Sequence, residues 1–301
     1  MTDSQLSVSF SELRNTILNW LKLQLDEEGL HWLTETSDSL IQGAEDWEFF
    51  SSFSAVPRYT GKEQLTLDDQ QKLKAEEIRK GWKPEFWNVD QMGRTLLVLS
   101  IVDLDKSDFL ERLEKTFISS DMGEATALYQ ALPVLPYPEE HTDRAAEGIR
   151  SNMTSAFNAV AHHNPYPAEY FDEGAWNQMV LKALFVQSPL YKIQGIDLRV
   201  NQELANMLVD YAHERWAAGR SVSPELWRPV GPFASGKVIK DLKKVLDNSD
   251  KLQQQAAVLA LSASSDDEAQ ELVKAHQSIL DKIMEKNITW DDIGKKSEKY
   301  R

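Results

Sequence analysis

Not one of the 301 residues is cysteine. That removes disulfides, thiolate zinc sites and cysteine nucleophiles from consideration, and it fits a reducing compartment. Long apolar runs are missing too. The longest near-continuous one, Leu96 to Val102, is interrupted by Ser100, whereas a helix that spans a bilayer needs roughly 20 apolar residues. Met1 to Phe10 is polar and lacks the basic-then-apolar order of a secretory signal, so the expected location is the cytoplasm. Basic charge is short: 33 Lys and Arg stand against 48 Asp and Glu, a net charge of −15. Residues 237–301 hold twelve of each sign, so the whole acidic excess falls in residues 1–236. Such a surface repels nucleic acid and anionic lipid, and no nucleic-acid partner is expected. Strict period-2 alternation, the mark of a half-buried strand, is also absent.

What remains is helical patterning. Ser9 and Glu12 have the spacing of a capping box ahead of the stripe Phe10, Leu13, Ile17, Trp20 and Leu21. A second helix is expected over His31 to Leu40. Phe49 to Lys62 reads as a loop, because Ser, Pro and Gly interrupt any period. Leu67 to Lys80 reads as a charged helix. Val89 to Val102 is apolar enough for a strand, but its polar lead-in Asp90-Gln91 and its length favour a buried helix. Asp108 to Ile118 sets Phe109, Leu113 and Phe117 on one face.

The middle of the chain repeats itself. Residues 136–146 (PYPEEHTDRAA) and 165–175 (PYPAEYFDEGA) match at Pro136/Pro165, Tyr137/Tyr166, Pro138/Pro167, Glu140/Glu169, Asp143/Asp172 and Ala146/Ala175. The prolines stop one helix and the acidic residues suit the first turn of the next. The pattern predicts an all-α, multi-helix array of α-solenoid or helical-repeat type. Three prolines between Pro224 and Pro232 suggest a boundary, giving a main helical domain over 1–236 and a C-terminal helical hairpin or bundle over 237–301. Ser265 and Glu268 have capping-box spacing before a helix from Asp266 to Lys286, with Lys282 and Lys286 in its last turn.

Two motifs fail on inspection. Residues 231–238 (GPFASGKV) follow the phosphate-loop pattern until Val238 stands where a magnesium-ligating Ser or Thr belongs. No strand precedes the loop, and Pro232 removes a backbone donor. His213-Glu214 opens like a zinc-protease helix, but Ala217 replaces the second histidine. The adjacent His162 and His163 cannot chelate one metal from a regular helix. No metal and no cofactor are expected.

Polar residues inside otherwise apolar helices are more informative. Arg150 and Asn152 precede the stripe Met153, Phe157, Val160. His162 and Asn164 end a helix at Pro165. Asn177 and Lys182 lie in WNQMVLKALF, and His213 and Arg215 in VDYAHERWAAGR. Buried unpaired, such groups cost about 1–3 kcal/mol each, so they must reach one another, water or a ligand. Either these eight line a ligand site for a small polyhydroxylated or anionic metabolite, or they form an internal polar network. Tyr59, Trp82, Phe86 and Trp87 form a further cluster, either a core edge or a docking patch.

Residues 51–233 resemble the EboA family, the metabolite traffic proteins of the bacterial ebo operon. The resemblance is carried by FSAVPRYTGK (53–62), MGEATALYQALPVLPYPE (122–139), AAEGIRSNM (145–153), HHNPYPAEYFDEGAWNQMVLKALFVQSPLY (162–191), YAHERWAAGR (211–220) and ELWRPVGPF (225–233). It implies a role in moving or assembling secondary metabolites, as in export of scytonemin precursors in cyanobacteria. It also implies other ebo-operon proteins as partners, including a UbiA-like membrane prenyltransferase. The family supplies no catalytic residues. The leading expectation is therefore a non-enzymatic binding or adaptor protein with a polar pocket or groove. The alternatives are a scaffold without ligand, or an enzyme acting on a cyclitol-like or prenylated intermediate. In the enzyme, His162 or His213 would be general base and Arg150 or Lys182 would hold an anion.

Overall fold

In the computed structural model, which describes residues 6–298, the chain forms eighteen α-helices and several 3-10 turns. Among the described residues there is no strand, only a lone antiparallel bridge between Gln64 and Asn88. The all-α, multi-helix architecture is the one the period-3.6 stripes predict. The chain divides into two compact units between Phe171 and Asp172.

The first unit carries α1 (Phe10–Leu21), α2 (Glu27–Ile41), α3 (Asp46–Thr60), α4 (Asp69–Ile78), α5 (Val89–Leu99), α6 (Lys106–Ser119), α7 (Met122–Ala131), α8 (Thr142–Arg150), α9 (Thr154–Ala161) and α10 (Tyr166–Tyr170). Helix α5 is its axis. Ten of its eleven residues are buried, and α1, α2, α3 and α7 all pack on it. That all-round burial explains why the sequence there looks nearly strand-like: a helix covered on every side has no polar face. Ser9 caps α1 by accepting from the Glu12 amide at 3.2 Å. The reciprocal half of the expected box is missing, because the Glu12 carboxylate reaches toward Lys74 instead.

The expected loop at 49–62 is helical as far as Thr60, and this corrects the sequence reading. Phe49, Phe53, Val56 and Thr60 form a buried stripe at helical spacing, and the Glu48 carboxylate accepts from the Glu45 amide at 3.0 Å to start α3. Pro57 lies inside the helix and has no N–H for the carbonyl four residues earlier. That carbonyl, on Phe53, accepts instead from Arg94 Nε of α5 at 3.2 Å. The Arg94 guanidinium lies 5.5 Å over the Phe53 ring and bonds the Asp90 carboxylate at 2.6 Å. Arg94 is 3% and Asp90 5% exposed, so this pair is deeply desolvated. Burial pushes the Asp90 carboxyl above its ordinary range, with Arg94 opposing. Gly61, at φ 71°, ends the helix.

The two copies of the repeat take different backbones. Tyr137 is left-handed at φ 56°, and Pro138–His141 is a 3-10 turn leading into α8. In the second copy Tyr166 opens α10, and Asp172 caps the next helix by accepting from the Ala175 amide at 2.7 Å. The copies touch: the buried Tyr166 hydroxyl donates to the Pro138 carbonyl, and burial raises its pKa strongly. His141, 3% exposed, hydrogen-bonds the Pro136 carbonyl through Nε2 at 2.8 Å.

The second unit carries α11 (Glu173–Phe185), α12 (Gln202–Ala217), α13 (Trp227–Val230), α14 (Lys237–Leu246), α15 (Lys251–Ala263), α16 (Asp267–Ala275), α17 (Gln277–Glu285) and α18 (Trp290–Ser297). Here α15 is the centre. Its buried Ala256, Ala257 and Ala260 let neighbours approach closely, and α13, α14, α16, α17 and α18 pack on it. A Cβ on Gly231 would stand 2.7 Å from the Ala260 carbonyl oxygen, so this first glycine of the failed phosphate loop serves helix contact. The turn at 231–236, where a domain boundary was expected, lies inside this unit. Two further expectations are corrected. The cap of α16 is Asp266, accepting from the Glu268 amide at 2.9 Å, while the neighbouring Ser264 hydroxyl accepts from the Asp266 amide. The helix expected from 266 to 286 breaks at His276, whose ψ of 30° leaves the helical region. Its Nδ1 bonds the Leu272 carbonyl at 2.9 Å, which that residue's own amide also uses.

Two expected outcomes follow from these contacts. Arg94→Ala leaves Asp90 buried and the Phe53 carbonyl unpaired, and urea denaturation should show a loss of about 3–5 kcal/mol. Desolvation lowers the His141 pKa. A histidine depressed in the fold contributes stability that is present above its unfolded pKa of about 6.5 and is lost as pH falls below that value. Melting temperature followed from pH 7.5 to 5 should therefore decline less steeply in His141→Gln than in the parent protein.

Candidate functional site

The second unit contains a pocket of about 310 Å³, at the lower end of the range usual for small-molecule sites. Leu184 of α11, Tyr211 and Arg215 of α12, the segment Ser221–Pro224, Asp250, Leu252 and Gln253 at the start of α15, and Ser297 of α18 form its walls. Arg215 is placed by the turn that ends α12. Its Nε and Nη2 both donate to the Ser221 carbonyl, at 3.0 and 2.9 Å. That fixes the plane of the guanidinium and leaves Nη1 without a partner among the described residues. Asp250, the one carboxylate in the lining, is engaged as the cap of α15 through the Leu252 amide at 2.8 Å. Gln253 donates to the Val222 carbonyl at 2.8 Å, and the Tyr211 hydroxyl reaches the Leu184 carbonyl at 3.4 Å. The Ser223 hydroxyl is closed to water and has no hydrogen-bond partner among the described residues. Gln187, also in the lining, is held at φ 60°, a left-handed conformation that costs a non-glycine residue about 1–3 kcal/mol and collects at functional sites. The pocket thus offers a fixed cation, hydroxyls and amides between apolar patches from Leu184, Val222, Pro224 and Leu252.

Of the eight sequence-predicted residues, Arg215 is the one that lines this pocket. Within the second unit, Asn177 is 1% exposed and forms a reciprocal amide pair with Asn201, at 3.2 and 2.9 Å. Asn201 in turn caps α12. Lys182 is half-buried in the last turn of α11, and desolvation lowers its pKa. His213 is exposed and bonds Asp241 Oδ2 of α14 at 2.8 Å through Nε2. Within the first unit, Arg150 is exposed at the end of α8 and lines a depression of about 340 Å³ with Phe117, Tyr129 and Met153. Asn152 is exposed in the following turn. His162 ends α9 and lines a different groove, beside Phe86 and His163. Asn164, 4% exposed, uses its whole amide on the backbone: it donates to the Tyr129 and Ala159 carbonyls and accepts from the Tyr166 amide, at 3.1, 2.9 and 3.0 Å. The tertiary structure therefore sorts the eight residues: Arg215, His162 and Arg150 stand at concave surfaces, while Asn164 and Asn177 tie backbone and caps together. Tyr211, Ser223, Asp250 and Gln253 were not singled out by sequence. Tyr211 sits one turn before Arg215, and that i, i+4 relation was the available signal.

Taken together, the fold and its pocket define an all-α protein with a small polar site and no strand-borne nucleotide motif. A family model described as "Metabolite traffic protein EboA" matches residues 13–231, which is more than half of the chain. The protein belongs to the EboA family. The match begins well before residue 51, so most of α1, α2 and the start of α3 belong to the family region although the resemblance read from sequence did not reach them. No curated protein and no solved structure matches the chain. Among the described residues, no group of three or more His, Asp or Glu side chains is arranged to hold a metal ion, and no helix is long and apolar enough to cross a membrane.

The sorting of the polar residues has a measurable consequence. Asn164→Ala strands three buried backbone groups and should cost about 2–4 kcal/mol by urea denaturation. Arg150→Ala, at an exposed position without an ion pair among the described residues, should stay within about 0.5 kcal/mol of the parent.

Proposed function

We propose that this protein is a non-enzymatic binding or adaptor protein of metabolite traffic, which holds a small polyhydroxylated or anionic metabolite against Arg215. The observation that carries the reading is the oriented guanidinium, clamped on Ser221 with Nη1 left over, in the wall of a pocket. A guanidinium fixed in this way is already organised for a phosphate, carboxylate or vicinal diol. The family description supports transfer of a metabolite as the setting. Hand-over to an enzyme encoded beside it, such as a UbiA-like prenyltransferase, is the step this reading assigns to its partners.

One observation favours the enzymatic alternative. The His213–Asp241 pair has the geometry of an oriented general base, which would suit chemistry on a cyclitol-like or prenylated intermediate. The imidazole does not line the Arg215 pocket.

Isothermal titration with myo-inositol and with inositol monophosphate tests the binding reading. The phosphate ester should bind more tightly, and Arg215→Gln should weaken it by roughly ten-fold or more while the melting temperature stays within a few degrees. Equal binding by parent and variant, or no binding of either probe, would overturn the reading. Loss of pathway output in His213→Gln with binding intact would favour the enzyme.

A further inference from the structure

The groove beside His162 in the first unit has a chemistry of its own. Its lining includes Phe86 and Trp87 from the segment before α5, Gln130 of α7, Ser155 of α9, and His162 and His163 after α9, around a volume of about 260 Å³. Three locally unfavourable features meet there. His163 stands at φ 53°, a conformation that strains a non-glycine residue and that concentrates at ligand sites. Its imidazole stacks face to face on Phe86, with centroids 3.6 Å apart and planes 12° from parallel, yet Phe86 remains 51% exposed. The Gln130 Oε1 and Ser155 Oγ atoms are closed to water and have no hydrogen-bond partner among the described residues. Each unpaired polar atom disfavours the fold, because its lost bonds to water are not replaced.

We propose that this groove is a second ligand site, for a small neutral aromatic compound carrying a hydroxyl or amide N–H. The exposed Phe86, stacked on His163, provides ring surface for a flat partner. The Gln130 and Ser155 oxygens sit on half-buried side chains of the lining, so a rotation of the amide and of the hydroxyl turns them to the ligand. There the carbonyl oxygen accepts a donated hydrogen and the hydroxyl donates or accepts. No Lys, Arg, Asp or Glu lines the groove, so apart from the two imidazoles it holds no ionisable side chain, and it favours a ligand without charge. This is the opposite character to the Arg215 pocket, and the proposal does not depend on that site.

Saturation-transfer NMR titrations on the full chain test it with phenol, benzamide and cyclohexanol. Phenol and benzamide should bind in the millimolar range, with cyclohexanol roughly three- to ten-fold weaker because it has the hydroxyl without the flat ring. Phe86→Leu should weaken phenol by a similar factor. Ser155→Ala and Gln130→Leu should weaken it several-fold with the melting temperature unchanged or raised, since each removes a polar atom that has no partner. Arg215→Gln should leave phenol binding unaltered, which separates this site from the metabolite pocket. Failure of phenol and benzamide to bind, equal binding of cyclohexanol, or indifference to Phe86→Leu would each overturn the proposal. A fall of several degrees in the melting temperature of Ser155→Ala and Gln130→Leu would also overturn it, by showing that the two groups serve the fold.

Discussion

In the first unit, much depends on one carbonyl. Pro57 deprives the Phe53 carbonyl of its helical donor, and Arg94 of α5 supplies the replacement. That substitution requires a guanidinium in the core, which requires a counter-charge, and Asp90 is that counter-charge one turn earlier on the same helix. The arrangement couples α3 to the axis of the unit through a hydrogen bond, an ion pair and a ring contact at once. Once α5 is fixed in this way, α7 packs on it and α9 packs on α7. The helix end at Ala161 and the histidine turn beyond it inherit their position from that chain of contacts.

The second unit solves the same problem with small residues. Alanines on α15 and the glycine at 231 bring five helices onto one central helix without a buried charge on that helix. Charge is used at the edges instead. Arg228 is bonded both to Asp197 at 2.7 Å and to Asp291 at 3.0 Å, which joins the segment after α11 to α18. The buried Glu225 carboxylate accepts from the Tyr191 amide at 2.7 Å. These ties hold the strand-free segments between helices, and the Arg215 pocket lies among such segments, where backbone carbonyls remain open to side chains.

Of the four non-glycine residues with positive φ among the described residues, His163 and Gln187 line the two concave sites. Both follow the end of a helix. A chain that must turn back sharply after a helix takes the left-handed conformation most easily at glycine. Retaining histidine and glutamine there accepts strain in exchange for a side chain at the wall.

The all-α class was legible in the sequence because helix-period stripes such as Leu13, Ile17, Leu21 need no partner to be recognised. The buried nature of α5 was legible for the same reason. The long words shared with the EboA family were also legible, though the family region extends further toward the N-terminus than those words. Helix α3 was missed because a proline and a glycine are local signals, whereas the donor that makes the proline tolerable comes from a residue 41 positions away in sequence. The roles of the eight polar residues were equally beyond local reading. Asn164 and Arg215 look alike as polar residues near helix ends. One bonds a carbonyl 35 residues distant, and the other faces a pocket whose opposite wall begins at Asp250. Sequence determined which segments are helical and which residues are polar among apolar neighbours, because those depend on period and composition. Only the tertiary structure decided which of those polar groups are satisfied by the fold and which remain available to a ligand, because hydrogen-bond partners are set by distances between elements far apart in the chain.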